Sequence, residues 1–327
     1  MSMPSLQDGI NQAGSPIKLL WVPSTPTNTV PTVPPEFAGW RKEQAAWLNG
    51  VAFSDLSHHM SNLFIEGPDA MRLLAAVSAN NFENFVVGQA KQFVPVTEEG
   101  YIINDGILFR LGEEKFDLVG ISAAHNWVMY HGKKGNYDVK FQFDPPSNLR
   151  QGKDPVFYRY QVQGPKAGEV LERIFDGPIP KIKFFHFMQI SLAGKQVNAF
   201  RHGMSAQMGC EFFGPWEDNS AVKAALLKAG EASDMLQVGG LAYYTNSLES
   251  GWIPTPLPGI FSAPSLEDYR KFVGLYSFEG QNKLHGSFYS ENIEDYYHSP
   301  YELGYGVQSL STMTSSAVRH WSALSTR

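Results

Sequence analysis

The chain has 327 residues, enough for two domains, and 43% hydrophobic with 18% charged residues is typical of a globular protein with a buried core. A net charge of −6, with lysines and arginines scattered along the chain, excludes the strongly basic surface that nucleic acid requires. The single cysteine excludes an internal disulfide, no apolar run is long enough to span a bilayer, and the polar N-terminus lacks a secretory signal. We therefore expect a cytoplasmic protein that binds neither nucleic acid nor membrane.

The N-terminal region is predicted to be an extended arm over residues 1–35. Residues 21–35 contain five prolines, which exclude a regular helix and a central strand. From Glu36, apolar residues at helical spacing predict a helix that ends at Gly50, and residues 51–53 are predicted to form a strand.

A weak internal repeat organises the next part of the chain. Residues 63–70, LFIEGPDA, recur as residues 160–167, YQVQGPKA. Each copy has the pattern of a strand, a Gly-Pro turn and a helix that begins at the proline. The repeat predicts two similar α/β units, unless a common turn sequence arose twice by chance.

Short strands and helices are predicted for the rest of both units. The predicted strands are residues 92–96, 101–109, 115–119, 137–143, 189–192 and 196–201, the last two joined by a turn at Gly194-Lys195. The predicted helices are residues 123–131, 167–175 and 220–230.

The order of these elements indicates the fold class. Strands and helices alternate without a regular βαβ rhythm, so we predict an α+β fold with mainly antiparallel sheets. The polar, proline-containing stretch at residues 144–154 is the best boundary. It divides the chain into a first lobe at residues 36–148 and a second lobe at residues 149–306.

Several familiar catalytic motifs are absent from the sequence. There is no Walker loop, no G-x-G-x-x-G after a strand, no H-E-x-x-H and no G-x-S-x-G. His58 and His59 are adjacent, so on a strand they would face opposite sides and could not chelate one ion; no metal site is predicted. Cys210 has no known partner base and is predicted to be structural.

Two polar segments are candidates for a binding site. Glu211 stands between Cys210 and two phenylalanines, where an ionised carboxylate needs a partner. It is either a salt-bridged surface residue of a strand or a bidentate acceptor for an aminopyrimidine-like ligand. Residues 243–252, YYTNSLESGW, suit a pocket wall, although packing alone also explains such an aromatic run.

Longer motifs in the same regions resemble a known family. The motifs are KQFVPVT at residues 91–97, RHGM at 201–204, NSLESGWIP at 246–254, SENIEDYY at 290–297 and PYELGYG at 300–306. They resemble the tetrahydrofolate-dependent O-demethylases of vanillate and syringate, which are relatives of the glycine-cleavage T-protein. The resemblance implies an aminomethyltransferase-like fold of three lobes in a ring, with folate in the central hole.

The resemblance also implies an activity and its residues. The reaction is transfer of a methyl group from an aryl methyl ether to N5 of tetrahydrofolate, with help for the departing phenolate oxygen. Tyr243 matches the catalytic tyrosine of the family and His59 a histidine beside the substrate, while Glu211, Trp252 and Val119 match residues that bind folate. A phenol of pKa about 10 is well matched to a phenolate leaving group.

Three positions of the substrate pocket depart from the family pattern. Val30 stands where a tyrosine is usual, Leu56 replaces a glutamine, and Ile121 replaces the arginine that binds the carboxylate of the aromatic acid. Isoleucine cannot replace a bidentate anion clamp. We therefore expect a small uncharged methyl ether, such as a methoxyphenol, in place of vanillate or syringate.

The C-terminal tail at residues 307–327 lacks the next motif of the family and its third, β-rich lobe. Residues 310–322, back-translated with permitted codons and read in another frame, give FDHDFIGREALE, the expected motif. This favours a frameshift after Gly306 over a natural divergent C-terminus. Loss of the third lobe would weaken folate binding, and newly exposed apolar surface would favour self-association.

The sequence therefore leaves three functions open. The first is a tetrahydrofolate-dependent methyltransferase. The second is a catalytically impaired folate-binding fragment, which the short C-terminus favours. The third is aminomethyl transfer of the glycine-cleavage type, whose motifs are less similar.

Overall fold

The computed structural model describes residues 3–24, 30–204 and 207–305. Within these ranges the strands are β1 (Ala52–Asp55), β2 (Ser61–Glu66), β3 (Ala90–Phe93), β4 (Gly106–Arg110), β5 (Lys115–Gly120), β6 (Lys140–Asp144), β7 (Phe157–Gln163), β8 (Phe187–Leu192), β9 (Lys195–Phe200), β10 (Gly209–Pro215) and β11 (Leu236–Val238). The helices are α1 (Leu6–Ala13), α2 (Pro16–Leu20), α3 (Trp40–Asn49), α4 (Ala70–Ala76), α5 (Ser122–Lys134), α6 (Ala167–Ile174), α7 (Asn219–Gly230), α8 (Gly240–Ser250), α9 (Glu267–Phe272) and α10 (Phe278–Gln281). The tail at residues 307–327 lies outside the described residues.

The strands form two sheets. The first sheet has the order β3-β4-β5-β2-β6, and all its neighbouring pairs are antiparallel. The second sheet has the order β11-β1-β7-β10-β9-β8, in which the β1–β11 pair is parallel and the other pairs are antiparallel. The predicted α+β fold with mainly antiparallel sheets is confirmed.

The internal repeat corresponds to one strand–turn–helix unit in each sheet, β2–α4 and β7–α6. The glycine of each Gly-Pro pair has a positive φ, 146° at Gly67 and 130° at Gly164. A Cβ atom would lie 2.3 Å from a backbone oxygen at Gly67 and 2.5 Å from one at Gly164, so both turns require glycine. The helices begin at Ala70 and Ala167, two residues after each proline, and Ala167 is also the start of the predicted helix 167–175.

The predicted extended arm is wrong for Leu6–Leu20, where the structure has α1 and α2. Ser5 begins α1 with a reciprocal capping box to Asp8, which satisfies free amides of the first turn. The apolar side chains of both helices pack into the core of the first sheet, which stabilises helices too short to form alone. Ser5 followed three residues later by Asp8 is the local signal for α1, and the polar composition of the stretch does not exclude a helix.

Most predicted boundaries differ from the structure by one to five residues. The helix predicted from Glu36 begins at Trp40, and the strand predicted from Tyr101 begins at Gly106. The hairpin turns at Ala193-Gly194, one residue earlier than predicted, because these two residues take the positive φ values of 53° and 73° that a tight hairpin needs.

The division into lobes at residue 148 does not match the pairing of the strands. β1 was assigned to the first lobe, but it pairs with β7 and β11 in the second sheet. Residues 257–297 were assigned to the second lobe, but their apolar side chains pack into the core of the first sheet. The chain therefore crosses between the two units several times.

One face of the first sheet packs against one face of the second sheet. Phe109 and Val119 of the first sheet pack with Phe200 and Phe213 of the second in a small apolar cluster. The opposite face of the second sheet packs on α6 and α7. Among the described residues, no helix combines the length and the apolar character needed to cross a bilayer.

Candidate functional site

His59 and Tyr243 are in direct contact. His59 lies in the turn after β1, and Tyr243 lies in the first turn of α8. The Nε2 atom of His59 is 2.9 Å from the hydroxyl oxygen of Tyr243, and the rings meet edge to face with centroids 4.7 Å apart. The fold thus brings together the two predicted catalytic side chains.

Burial keeps both members of this pair neutral at pH 7. Burial lowers the pKa of His59 to about 4, and the charge of Asp55 opposes this shift. Burial also raises the pKa of Tyr243, and the charge of Glu211 adds to the shift. The pair therefore offers a phenol hydroxyl and a neutral imidazole, joined by one hydrogen bond.

Helix α3 holds α8 at both ends. The buried carboxylate of Glu43 accepts hydrogen bonds from the backbone amides of residues 37–39 through Oε1, at 2.6 to 3.1 Å, and from that of Gly239 through Oε2, at 2.8 Å. One turn later, the indole Nε1 of Trp47 donates to Glu249 near the end of α8, at 2.8 Å. These contacts fix the helix that carries Tyr243.

Glu211 is buried on the face of β10 that meets the first sheet. It has an exposed fraction of 5%, and its Oε1 accepts a hydrogen bond of 2.7 Å from Nη1 of Arg159. It is therefore salt-bridged, as one alternative predicted, but it is not a surface residue. No donor among the described residues contacts its Oε2, which leaves that oxygen for a ligand.

Trp252 contacts a buried aspartate. Its indole Nε1 lies 3.1 Å from Oδ2 of Asp105 and 3.1 Å from the hydroxyl of Tyr305. That hydroxyl and the Nε2 of Gln92 donate to the same aspartate oxygen. Burial raises the pKa of Asp105 to about 6, and the three donors oppose this shift.

The predicted substrate-pocket residues lie on three segments. Val30 is buried beside Gly240, three residues before Tyr243. Leu56 is buried, and its amide donates to the carbonyl of Arg159. Ile121 is half-buried at the N-terminus of α5.

Val119, the last predicted folate residue, is buried on β5 and paired with Asn62 on β2. The next residue, Gly120, packs against the backbone of Asp105. Val119 and Ile121 therefore lie on either side of Gly120, whose backbone is next to Asp105, the aspartate that Trp252 contacts.

Four buried polar residues near this region were missed by the sequence analysis. They are Arg159, Asp117, Gln161 and Asp105. A signal for two of them was present, because Arg159 and Gln161 alternate with apolar residues in FYRYQVQ, and alternation on a strand predicts a polar face. The depth at which that face is buried depends on the first sheet, which covers it, and strand alternation alone does not predict that packing.

Other sequence candidates lie elsewhere. His58 contacts Ser147 through Nδ1 and His59 contacts Tyr243, so the adjacent histidines have different partners. Cys210 is buried, and burial raises its pKa, which makes a thiolate unfavourable.

A cleft of about 260 Å³ lies beside Asp55 and Lys223. Neither His59 nor Tyr243 lines it, so we do not take it as the reaction site.

Residues 25–255 match the family described as the GCVT N-terminal domain. The chain belongs to this family. The match includes every predicted site residue, from Val30 to Trp252.

Several proteins of known activity are similar to the chain. It is 42% identical to the syringate O-demethylase of Sphingobium sp. over 303 residues, which are 93% of this chain and 66% of that protein. It is 32% identical to the aminomethyltransferase of Exiguobacterium sibiricum over 197 residues, 60% of this chain and 52% of that protein. A sesamin methylene transferase of Sinomonas sp. is 26% identical over 84% of this chain and 59% of its own length. The chain thus spans half to two thirds of these relatives.

A solved structure also has a similar fold. The glycine cleavage system aminomethyltransferase T of Bartonella henselae superimposes with a TM-score of 0.55 at 22% identity, covering 68% of this chain and 57% of that chain. At this identity the likeness establishes the fold alone.

Proposed function

We propose that the protein transfers a methyl group from a small uncharged aromatic methyl ether to tetrahydrofolate. The contact between Tyr243 and His59 is the observation that carries this proposal. An aryl methyl ether is inert unless its departing oxygen receives a hydrogen bond or a proton. A buried phenol backed by a neutral histidine supplies that hydrogen bond without bringing a charge into the pocket.

The proposed reaction requires one proton arrangement of this pair. With the proton on Nε2, His59 donates to the oxygen of Tyr243, and the tyrosine hydroxyl hydrogen is then available for a third group. The departing oxygen of the methyl donor is that group in our proposal. Because the pKa of Tyr243 is raised, its hydroxyl remains protonated and acts as a donor over the physiological pH range.

The buried polar groups between the sheets suit a reduced pterin. The aminopyrimidine part of tetrahydrofolate carries adjacent N–H donors, and Glu211 has one carboxylate oxygen without a donor among the described residues. Oε1 of Gln161, on the neighbouring strand position, is buried and has no hydrogen-bond partner in the described part of the chain. When bound, tetrahydrofolate supplies the nucleophilic N5 that accepts the methyl group.

The methyl donor is proposed to be uncharged. Val30, Leu56 and Ile121 are all aliphatic, so none of them can pair with the carboxylate of vanillate or syringate. Burying an unpaired carboxylate costs several kcal/mol, on the order of the affinity of a small ligand. A neutral methoxyphenol avoids that cost.

The test is a comparison of methyl donors. The chain is incubated without oxygen with tetrahydrofolate and either 2-methoxyphenol or vanillate, and 5-methyltetrahydrofolate is measured. We expect product with the neutral donor and at least about tenfold less with vanillate. Equal or faster turnover of vanillate would refute the proposed donor class, and no product with any methyl ether would refute the proposed reaction.

A second candidate is a folate-binding protein without catalytic activity. The buried polar atoms of Glu211 and Gln161 favour it, because they suit a pterin whether or not a methyl group is transferred. Calorimetric titration with tetrahydrofolate, run beside the product assay, distinguishes the two candidates. Binding without product from a panel of methyl ethers would support the second.

We also propose that the protein is cytoplasmic and that it associates with itself. Cell fractionation tests the first, and light scattering of the purified chain tests the second.

A further inference from the structure

Arg159 is a buried arginine at the meeting of the two sheets. It lies on β7 and has an exposed fraction of 3%. Its guanidinium lies over the rings of Phe109 and Phe213, at 4.8 Å from each ring centroid, and the two centroids are 5.1 Å apart. These contacts with two aromatic rings, both on one side of the guanidinium, restrict the directions in which its N–H groups point.

The side chain of Arg159 joins the two sheets through charged partners. Its Nη1 donates to Glu211 on the second sheet at 2.7 Å. Its Nη2 donates to Asp117 on the first sheet at 2.5 Å and to Asn62 at 3.3 Å. One guanidinium thus sets the position of the carboxylate proposed to bind the pterin.

The backbone of Arg159 forms hydrogen bonds with residues 56 and 57, on the proposed methyl-donor side of the site. Its carbonyl accepts a hydrogen bond of 2.9 Å from the amide of Leu56, and its amide donates to the hydroxyl of Ser57 at 3.0 Å. The segment 56–57 leads directly to His59. A single residue therefore contacts both the proposed folate side and the proposed methyl-donor side.

The charges of Arg159, Asp117 and Glu211 suggest that this cluster has a role in binding as well as in stability. Two carboxylates share one guanidinium, and burial raises the pKa of Asp117 to about 7. A buried ion pair is often no more stabilising than apolar packing in the same volume. Oδ1 of Asp117 and Nε of Arg159 are buried without a hydrogen-bond partner among the described residues, which leaves polar atoms for a ligand or its ordered water.

We infer that Arg159 is a positioning residue that orients Glu211 for the pterin and couples it to the segment that carries His59. This inference rests on the proposed function. A lysine keeps the charge but lacks the planar fork that reaches both carboxylates, so Arg159→Lys separates orientation from charge. Arg159→Met keeps much of the side-chain volume beside the two rings and removes the charge.

A matched control is available in the same chain. Arg150 is equally buried and forms a bidentate pair with Asp144, with hydrogen bonds of 2.6 and 3.2 Å. It contacts none of the predicted site residues. Arg150→Met therefore reports the effect of losing a buried ion pair outside the site.

The experiment measures the Kd of tetrahydrofolate by calorimetry, kcat with 2-methoxyphenol, and Tm. We expect Arg159→Lys to weaken tetrahydrofolate binding about tenfold or more, and Arg150→Met to lower Tm while changing Kd by less than about twofold. If Arg159 acts through Glu211, the double variant Arg159→Lys/Glu211→Gln binds no more weakly than Glu211→Gln alone. The Kd of Arg159→Met, alone and combined with Glu211→Gln, is compared with that of Glu211→Gln in the same way.

The outcomes separate this inference from the proposed function. If the unsubstituted chain does not bind tetrahydrofolate, the proposed function fails and this inference fails with it. If it binds, and Arg159→Lys binds equally well, only the inference about Arg159 is overturned. Additive losses in the double variant would also overturn it, because they would mean that Arg159 and Glu211 act independently.

Discussion

The hydroxyl of Tyr243 lies 2.9 Å from Nε2 of His59, although 184 residues separate the two along the chain. Burial holds the imidazole neutral and the phenol protonated. We therefore expect Tyr243→Phe to reduce kcat by about 100-fold or more with little change in the Kd of tetrahydrofolate, since general acid assistance contributes on this scale. The measurement is formation of 5-methyltetrahydrofolate.

The neighbouring tyrosine provides the control for this prediction. Tyr244 contacts the Tyr243 ring at a centroid distance of 5.9 Å but has no hydrogen bond to His59. Tyr244→Phe should leave kcat within about twofold. An unchanged kcat in Tyr243→Phe would reject the role of its hydroxyl.

The contact between Glu43 and the start of α8 gives a second prediction. In Glu43→Gln an NH2 group takes the place of Oε2, and it cannot accept a hydrogen bond from the N–H of Gly239. We expect roughly 2 kcal/mol lower stability, because hydrogen bonds to a buried charge are lost, and about tenfold lower kcat, because α8 carries Tyr243. Denaturant unfolding and the product assay measure the two effects.

Glu36→Gln is the matched control for Glu43→Gln. Glu36 is exposed and accepts one hydrogen bond from the amide of Trp40. The change should cost less than about 0.5 kcal/mol and leave kcat unaltered. Full activity in a folded Glu43→Gln protein would contradict the positioning role of the contact.

The raised pKa of Asp105 predicts a pH dependence of stability. Its folded pKa of about 6 exceeds the ordinary value of 3.8, so between pH 4 and 6 the folded state retains a proton that the unfolded state releases. This contribution is fully present below pH 4, is lost as the pH rises through 6, and amounts to roughly 3 kcal/mol.

Asp105→Asn tests that prediction, because it removes the titrating group. The free energy of unfolding should then change less steeply between pH 4 and 6 than in the unsubstituted chain, while the contribution of Asp117 remains in both. Asp154→Asn, at an exposed position, should leave the slope unchanged. Identical slopes in the unsubstituted chain and Asp105→Asn would argue against the raised pKa.

Ile121 gives a prediction about specificity. Introducing arginine at this position supplies the bidentate partner that a carboxylate needs. We expect Ile121→Arg to raise kcat/KM for vanillate, relative to 2-methoxyphenol, by about tenfold or more. Ile121→Met, which changes shape without adding charge, should leave the ratio near that of the unsubstituted chain. A ratio unaltered by arginine would show that the carboxylate does not reach residue 121.

The repeated Gly-Pro turn gives a prediction about stability. An alanine Cβ at Gly67 would meet a backbone oxygen at 2.3 Å, and the φ of 146° is unfavourable for any side chain. Gly67→Ala should cost about 3 kcal/mol, whereas Gly152→Ala, with positive φ but no atom within 4 Å, should cost about 1 kcal/mol. Thermal unfolding compares them, and equal losses would contradict the steric explanation.

The sequence by itself determined the two repeated strand–turn–helix units of this protein and the residues that match its family. The two strand–turn–helix units were predictable because a Gly-Pro turn and an apolar period act over a few residues. The choice of Tyr243, His59, Glu211 and Trp252 came from motif resemblance, and the family match supports the framework in which they stand. Their roles remain predictions.

Only the tertiary structure decided how these segments meet. The pairing of β1 with the second sheet and the contact of Arg159 with Asp117 join residues far apart in the chain. The period of a strand specifies which side chains share a face, but not which strand or sheet will cover that face. Burial then sets the charge of His59, Asp105 and Asp117, because the cost of removing a charge from water depends on everything packed around it.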